Sequence, residues 1–322
     1  MRVVELTEIT GPEAVRLGER PEPEGDGVLV AVKAVGLSFP DLLRSRGQYQ
    51  DSAKPPYVLG QEFAGEVLSA PAGSGFKAGD RVAGMSGGIG SASERLIAQP
   101  DMLIPLPDSL TFEQGAGVLF NYQTAIVALE IRGRIKPGEV VLAHGAAGGT
   151  GTAVIQVAKA NGARVIAVVS SDEKAQTARD AGADEVVRSD GPWKDQALEL
   201  TGGNGVDIAF DPVGGDRMLD TIRALAYGGR WVIIGFTGGS IPQVPANRLL
   251  LKNVELVGSY LGGYTKQVPD GRARLIARVK ELLAAGAINP VVGAAFPMEQ
   301  ASAALLEMSD RRARGKVVLT IN

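Results

Sequence analysis

The sequence predicts an α/β protein in which a doubly wound parallel sheet is inserted into a discontinuous, mostly β domain. Up to about residue 120, apolar residues alternate in short runs interrupted by glycine and proline, which is typical of antiparallel strands. From about residue 121, apolar strands alternate with helical segments, which indicates a parallel sheet with helices on both faces. A last apolar strand near the C-terminus would return to the first domain. We therefore assign residues 1–120 and 265–322 to the β domain, and 121–264 to the parallel-sheet domain.

Hydrophobic periodicity places the elements of the second half of the chain. The predicted strands are Val140–His144, Val165–Val169, Glu185–Val187, Asp207–Phe210, Arg230–Gly235 and Glu255–Ser259. The helices between them include Gly151–Ala160, Glu173–Ala181 and Arg217–Leu225. An amphipathic helix is expected over Gly271–Ala285 and a terminal strand over Gly315–Ile321.

The composition excludes several classes of function. A chain with 45% hydrophobic and 21% charged residues has the balance of a globular enzyme, and its net charge of -3 argues against a nucleic-acid partner. The chain has no cysteine, which excludes disulfides, iron–sulfur clusters, thiolate zinc sites and a thiol nucleophile. No segment reads as a signal peptide or a membrane span, so we expect a cytoplasmic protein without a membrane partner.

A glycine-rich turn after the first central strand carries the strongest indication of function. Residues 145–151 read Gly-Ala-Ala-Gly-Gly-Thr-Gly, and a strand before them and a helix and strand after them complete a βαβ unit. Gly148 would let the backbone approach a pyrophosphate, and Gly151 would let the helix pack close to the strand. The helix N-terminus would supply amide groups and a partial positive charge. The turn predicts a dinucleotide site formed by Ala147, Gly148, Gly149, Thr150 and Gly151.

The end of the second central strand indicates which dinucleotide is bound. An Asp or Glu there usually holds the ribose 2′-hydroxyl of NAD, whereas this chain has two serines, and Asp172 and its acidic neighbour read as the first turn of the next helix. We expect hydroxyls and cations to hold a 2′-phosphate instead, namely those of Ser170, Ser171, Lys174 and Arg188. The sequence therefore favours NADPH. The alternative is that Asp172 bends back onto the ribose and the site prefers NADH.

Three N-terminal segments resemble the medium-chain dehydrogenase/reductase superfamily. They are residues 36–41 (Gly-Leu-Ser-Phe-Pro-Asp), 46–49 (Arg-Gly-Gln-Tyr) and 60–67 (Gly-Gln-Glu-Phe-Ala-Gly-Glu-Val). Together with the glycine turn, they are similar to the zinc-independent quinone oxidoreductase (zeta-crystallin-like) branch, and the resemblance covers essentially the whole chain. It implies a Rossmann dinucleotide-binding domain inserted into a GroES-like substrate domain.

The same resemblance argues against a metal ion. Zinc alcohol dehydrogenases carry Gly-His-Glu where this chain has Gly60-Gln61-Glu62, and the cysteine ligands are impossible here. The only histidine, His144, precedes the glycine turn, where we expect a local hydrogen bond instead of a catalytic role. We therefore predict no metal site. A short-chain dehydrogenase is excluded as well, because the chain has no Tyr-x-x-x-Lys pair.

The resemblance also implies positions for the rest of the cofactor. Backbone groups near Phe236, Thr237 and Leu261 would hold the nicotinamide carboxamide. Thr124 and Lys316 would approach the ribose or the phosphates. Ordinary core packing is the equal alternative for Phe236, since aromatic side chains bury readily.

Ser38 and Tyr49 match the family's substrate site. Quinone oxidoreductases typically have an asparagine where this chain has Ser38, so the polar arm is shorter here. Tyr49 matches a tyrosine and would donate a hydrogen bond to the carbonyl oxygen as negative charge develops. The alternative is that Tyr49 packs between the domains with its hydroxyl bonded to backbone. We expect Asp41 to be a structural acceptor in its loop.

The predicted activity is metal-free hydride transfer from C4 of NADPH to a quinone or an α,β-unsaturated carbonyl. One alternative is an enoyl-thioester or enone reductase of the same superfamily. Another is an NADPH-binding structural or sensor protein with little turnover. The strand at 254–260 would pair across a two-fold axis in a homodimer, leaving no exposed sheet edge.

Overall fold

The computed structural model describes residues 1–50, 54–88 and 90–322, which form two compact units. Unit 1 contains Met1–Phe120 and Asn289–Asn322, and unit 2 contains Asn121–Ile288. The first boundary lies where the sequence placed it. The return to unit 1 lies at residue 289 instead of 265, because the helix Gly271–Ala284 belongs to unit 2. There Arg278 donates to the carboxylate of Glu130 at 2.9–3.2 Å.

The strands follow the chain in the order in which we number them. They are β1 (Arg2–Leu6), β2 (Val15–Glu19), β3 (Val28–Leu37), β4 (Tyr57–Val58), β5 (Glu62–Ser69), β6 (Arg81–Met85), β7 (Arg95–Ala98), β8 (Leu103–Pro105), β9 (Val140–His144), β10 (Arg164–Val169), β11 (Glu185–Arg188), β12 (Val206–Asp211), β13 (Leu225–Ile233), β14 (Glu255–Gly258), β15 (Val292–Pro297) and β16 (Lys316–Thr320).

The α-helices are numbered in the same way. They are α1 (Phe39–Ser45), α2 (Phe112–Gly115), α3 (Phe120–Ile126), α4 (Gly149–Ala160), α5 (Asp172–Asp180), α6 (Trp193–Leu200), α7 (Met218–Ala224), α8 (Ala246–Lys252), α9 (Leu261–Gln267), α10 (Gly271–Ala284) and α11 (Ala301–Ser309). A π-helical segment, Val127–Arg132, continues α3.

Unit 1 is built on β-sheets, as the alternation of apolar residues predicts. In the described part of the chain, its larger sheet has the order β15-β16-β3-β5-β6-β8, with β7 also paired to β3, and a small sheet has the order β2-β1-β4. The pairs are antiparallel except for β15 with β16. The terminal strand β16 lies against β3, which makes the unit discontinuous in sequence.

Unit 2 contains the predicted parallel sheet. Its strand order is β11-β10-β9-β12-β13-β14, and every pair is parallel, so the fold class predicted from the sequence is confirmed. The order reverses between β9 and β12, and the carboxyl ends on either side of that point are where such sheets bind ligands. The core on the sheet includes Leu142, Ile166, Ala209 and Trp231, all of them buried.

One strand differs clearly from its predicted bounds. β13 begins at Leu225, five residues before the predicted start at Arg230. The register between β12 and β13 shifts between the Val206–Leu225 pair and the Ile208–Arg230 pair. The two glycines at 228 and 229 interrupt the apolar pattern in this irregular stretch. Periodicity alone therefore found only the regular second half of the strand.

Candidate active site

The glycine-rich turn has the geometry that its sequence predicts. β9 ends at His144 and α4 begins at Gly149. Gly145 has φ of 60°, a left-handed conformation that favours glycine. A Cβ at Gly151 would overlap the carbonyl oxygen of Gly145 and lie 2.7 Å from the carbonyl carbon of Ala146. Gly151 is therefore required by the close packing of the helix on the turn.

At position 148, packing within the protein does not require glycine. A Cβ there would meet only the carbonyl oxygen of Gly145, at an ordinary distance of 3.5 Å, and φ is -78°. The protein itself would accept a side chain at this position. The bare backbone of Gly148 instead leaves room above the first turn of α4.

The first turn of α4 has amide groups available for an anion. The N-terminal amides of a helix have no partner within the helix, and the cap residue Gly148 has no side chain to cover them. The helix dipole adds a partial positive charge at the same place. The turn therefore fits a pyrophosphate on two independent grounds, an open cradle and uncapped donors.

Loops at the carboxyl ends of β12 and β13 are held together beside this turn. The carboxylate of Asp211 accepts hydrogen bonds from the amides of Val213 (2.7 Å) and Gly214 (2.9 Å) and from the Trp231 indole (3.1 Å). The amide of Thr237 donates to the carbonyl oxygen of Pro212 at 2.9 Å. Asp211 is buried and so organises this edge of the site, a role that the sequence did not reveal.

His144 is a buried neutral residue at the end of β9. Burial lowers its pKa from 6.5 to about 4, against the opposing effect of the Asp211 carboxylate. Its Nε2 lies 3.1 Å from Oγ1 of Thr221, and that hydroxyl donates to the carbonyl oxygen of Arg217. The hydroxyl's proton is therefore committed, so Nε2–H of the imidazole is the donor to Thr221. This is the local hydrogen bond expected from the sequence.

The predicted 2′-phosphate residues lie together beyond β10, and acids lie among them. Nζ of Lys174 is 3.2 Å from Oγ of Ser170. Arg188 donates to the backbone carbonyl of Ser170 at 3.0 Å, to Asp172 at 2.6 Å and to both carboxylate oxygens of Asp190. The pKa of Arg188 is raised, chiefly by its bond with Asp190. The Asp172 carboxylate therefore forms an ion pair with Arg188.

The start of α5 shows why the acids lie there. Oγ of Ser171 accepts a hydrogen bond from the amide of Lys174 and caps the helix. Asp172 and Glu173 occupy the first turn, where the helix dipole stabilises negative charge. The position of both acids was predicted, but the pairing of Asp172 with Arg188 was not.

The remaining predicted cofactor residues of unit 2 are spread over three elements. Phe236 lies after β13 and is 38% exposed, so it is not an ordinary core residue. Leu261 is the first residue of α9, with its side chain largely buried. Thr124 lies on α3, half-buried, and Oγ1 of Thr150 lies 3.4 Å from Oδ1 of Asn121 on the same helix.

Two predicted residues of unit 1, Ser38 and Lys316, lie in a buried polar cluster with Asp41 and Glu62. Nζ of Lys316 donates to Oε1 of Glu62 at 2.6 Å and to Oγ of Ser38 at 2.8 Å. The other oxygen of Glu62 accepts from the amides of Leu119 and Phe120, both at 2.9 Å. Lys316, predicted to approach the cofactor, thus has its ammonium group bonded within unit 1.

Asp41 fixes the backbone around this cluster. Its carboxylate accepts from the amide of Ser38 at 2.8 Å and from the amide of Gly60 at 3.1 Å. Burial raises the pKa of Asp41 and these two bonds oppose the rise. The expected role as a structural acceptor is what these contacts describe. Tyr49 lies after α1, half-buried, with the guanidinium of Arg44 4.7 Å from its ring centre.

Neither a metal-binding cluster nor a membrane-spanning helix occurs in the described residues. Within 1–50, 54–88 and 90–322, no group of three or more His, Asp or Glu side chains is placed to hold a metal ion. No helix in the same residues is long and apolar enough to cross a membrane.

Two family models match the chain, one in each half. Residues 24–108 match the alcohol dehydrogenase GroES-like domain, and residues 149–278 match the zinc-binding dehydrogenase family. Quinone oxidoreductase-like protein 2 of Rattus norvegicus is 40% identical over 324 aligned positions, which cover 99% of this chain and 92% of that protein. The similarity therefore extends over both units.

Solved structures with the same fold include a quinone oxidoreductase, an alcohol dehydrogenase and an enoyl reductase. The quinone oxidoreductase of Escherichia coli in complex with NADPH has a TM-score of 0.87 and 29% identity, with 100% of both chains covered. An NAD-dependent alcohol dehydrogenase has a TM-score of 0.90 and 30% identity over the full length of both chains. The CurK enoyl reductase has a TM-score of 0.86 and 25% identity, covering 100% of this chain and 99% of that one.

Proposed function

Because the chain belongs to the medium-chain dehydrogenase/reductase superfamily, in its zinc-independent quinone oxidoreductase-like branch, we propose that it is an NADPH-dependent reductase of quinones or conjugated carbonyls. The observation that carries the proposal is the glycine turn, where Gly148 leaves an open cradle at an uncapped helix N-terminus. An oxidoreductase of this branch needs such a place for its dinucleotide.

The chain's own groups would hold the dinucleotide along the carboxyl edge of the unit 2 sheet. The amides of Gly149, Thr150 and Gly151 would bind the pyrophosphate. Backbone groups near Phe236, Thr237 and Leu261 would hold the carboxamide. When bound, the cofactor would supply a hydride, which is two electrons with one proton, and the acceptor would take its second proton from Tyr49 or water, so no side chain has to act as a nucleophile.

The choice of NADPH rests on the cations after β10. Lys174 and Arg188 lie beside Ser170, and a 2′-phosphate would accept charge-assisted hydrogen bonds from them. Asp172 and Asp190 neutralise much of the positive charge of Arg188, which weakens the preference. We therefore expect tighter binding of NADPH than of NADH, with Lys174 as the principal determinant.

The rate of hydride transfer would depend on how the cofactor and the acceptor are aligned and on hydrogen bonds to the acceptor's carbonyl oxygen. Alignment of donor and acceptor supplies about 7–11 kcal/mol of a barrier of this kind. A donor to the carbonyl oxygen stabilises the negative charge that develops there, by about 3–4 kcal/mol. Ser38 and Tyr49 are the two candidates for this donor in unit 1.

The acceptor is identified by comparing substrates in one assay. The protein is mixed with NADPH and either 1,4-naphthoquinone or a trans-2-enal, and loss of the cofactor's near-ultraviolet absorbance is followed. Faster turnover of the quinone supports the proposed activity, whereas faster turnover of the enal supports an enoyl or enone reductase, which the likeness to the CurK enoyl reductase favours. Tight NADPH binding without turnover of any acceptor would contradict both and leave a cofactor-binding structural or sensor protein.

A homodimer formed through the unit 2 sheet is the proposed assembly. β14 is an edge strand of that sheet, and Leu256 and Tyr260 beside this edge are 40% and 53% exposed. An edge with exposed apolar side chains would be covered if two copies paired their β14 strands. Light scattering after gel filtration should give the mass of two chains, and a Leu256→Lys variant should shift it toward one.

A further inference from the structure

Lys316 makes a contact that its ion pair does not require. The carboxylate of Glu62 already neutralises the ammonium group, yet Nζ also donates to Oγ of Ser38 at 2.8 Å. The ring of Phe120, whose centre is 5.8 Å from Nζ, lies on the same ammonium group. Gly36 makes room for the arrangement, since a Cβ there would lie 2.5 Å from Cε of Lys316.

This contact determines where the hydroxyl hydrogen of Ser38 points. An ammonium group can only donate, so Oγ of Ser38 must be the acceptor, and its own hydrogen is directed elsewhere. In the described part of the chain, no acceptor for that hydrogen is found. At 6% exposed, Ser38 is also the most accessible member of the cluster, against 3% for Lys316 and 0% for Glu62.

The backbone around Ser38 is held as firmly as its side chain. The amide of Ser38 donates to Asp41, whose other oxygen holds the amide of Gly60. The hydroxyl is thus a donor fixed from two sides, by Lys316 and by the Asp41 bond. Preorganised donors of this kind stabilise charge without reorganisation during a reaction.

We propose that the Ser38 hydroxyl is the hydrogen-bond donor to the carbonyl oxygen of the substrate, and that Lys316 is the positioning residue that orients and polarises it. The inference rests on the proposed reductase function and assigns the donor that it leaves open between Ser38 and Tyr49. The buried carboxylate of Glu62 holds the ammonium group of Lys316 in place at 2.6 Å. The positive charge of Lys316 strengthens the donor through the hydrogen-bonded chain.

Kinetics of matched serine variants test the donor. Ser38→Ala should lower kcat for the better acceptor by about 10²-fold, with a much smaller change in KM, since the lost bond forms chiefly in the transition state. Ser38→Thr, which keeps a hydroxyl, should recover most of the loss. The control is Ser45→Ala, because Ser45 is also a buried serine of unit 1 and its hydroxyl donates to the carbonyl oxygen of Leu42.

A combined variant tests the positioning role of Lys316. Lys316→Met alone leaves Glu62 as an uncompensated buried charge, so Lys316→Met/Glu62→Gln removes both charges together. If Lys316 acts through Ser38, the double variant should have a lower kcat, and adding Ser38→Ala to the double variant should lower kcat no further. A purely structural role predicts independent, additive losses. Thermal unfolding confirms that each variant is folded.

Binding of 4-nitrophenolate gives a readout without turnover. With NADP⁺ present in place of NADPH, the coloured phenolate oxygen imitates the oxyanion. Wild-type protein and Ser45→Ala should bind the phenolate about tenfold more tightly than Ser38→Ala or the Lys316→Met/Glu62→Gln pair, which corresponds to one hydrogen bond to a charged group.

The outcomes separate the two proposals. An active wild-type enzyme in which Ser38→Ala behaves like Ser45→Ala, or in which Tyr49→Phe causes the loss of kcat instead, would overturn this inference alone. Additive losses, or phenolate binding that is absent or equal in all variants, would overturn it as well. A wild-type protein that turns over no acceptor would overturn the proposed function and this inference with it.

Discussion

Two cation–carboxylate pairs, one in each unit, differ in burial and therefore in what they can do. In unit 1, Lys316 and Glu62 are enclosed, with side chains 3% and 0% exposed. In unit 2, Arg188 and Asp172 lie at the surface, with side chains 38% and 93% exposed. The distances are the same, 2.6 Å in both.

The difference shows how one kind of contact serves two purposes. Water cannot reach the buried Lys316–Glu62 ion pair and compete for its contacts. The amides of Leu119 and Phe120 also hold the Glu62 carboxylate, so the pair fixes the positions of both side chains. The exposed pair is screened and solvated, so it opens at little cost and its arginine can exchange a carboxylate for a phosphate. The first pair suits positioning, and the second suits ligand selection.

The largest expected effect is on the buried pair. Lys316→Met should lower the free energy of unfolding by about 3–5 kcal/mol, because Glu62 stays buried without its partner. Urea unfolding at neutral pH measures this loss. Lys316→Met/Glu62→Gln should recover most of the stability, and a single variant as stable as wild type would show that the pair is not effectively buried.

Burial can also be tested at His144, whose imidazole is held in its neutral form. Its folded pKa of about 4 lies below the unfolded value of 6.5, so the unfolded chain binds the proton first as pH falls. Stability from this residue is complete above pH 6.5 and is lost as pH falls toward 4. Between pH 7 and pH 5, wild type should lose about 2 kcal/mol more unfolding free energy than His144→Gln. Equal losses in urea titrations would place the imidazole in solvent.

At the surface of unit 2, the expected change is in affinity. Lys174→Ala should weaken NADPH binding by about tenfold, a loss equivalent to one charge-assisted bond at an exposed site, and leave NADH binding nearly unchanged. Cofactor fluorescence titrations measure both constants. A tenfold loss for both dinucleotides would assign Lys174 to a shared part of the cofactor instead of the 2′-phosphate.

The smallest effect is expected at the exposed acid. Asp172→Asn should release Arg188 and tighten NADPH binding a few-fold, with no measurable change in the unfolding midpoint, since exposed ion pairs contribute little. The same titrations and urea curves check it, with Asp180→Asn on the same helix as the control. Weaker NADH binding in this variant would support the alternative that Asp172 reaches the ribose.

Local patterns in the sequence were enough to predict the fold and the glycine turn. β9 has its predicted bounds, and α4 begins two residues before its predicted start, at Gly149. The first turn of α5 with its two acids was also predicted, because capping and dipole effects act within a few residues. The return of the chain to unit 1 at residue 289 was not predicted, since it depends on which unit's core α10 packs against.

Contacts between residues that lie far apart in the chain could not be predicted from the sequence. Lys316 lies 254 positions from Glu62 and 278 from Ser38, and no periodicity relates them. The motif that contains Glu62 drew attention to Gln61 beside it, as the residue in place of a zinc ligand. Asp211 directly follows the predicted strand Asp207–Phe210, and its three hydrogen bonds appear only once β12 and β13 are paired.

The most direct measurement of the central claim is NADPH oxidation by 1,4-naphthoquinone in excess EDTA, with wild type and Gly148→Ala compared. Gly148 has space for a methyl group, so the variant should fold normally. The chelator should leave wild-type activity unchanged. Gly148→Ala should lose about 10²-fold in kcat/KM, because the methyl group displaces the pyrophosphate. Activity abolished by EDTA, or a variant as active as wild type, would contradict a metal-free reductase that binds NADPH at the glycine turn.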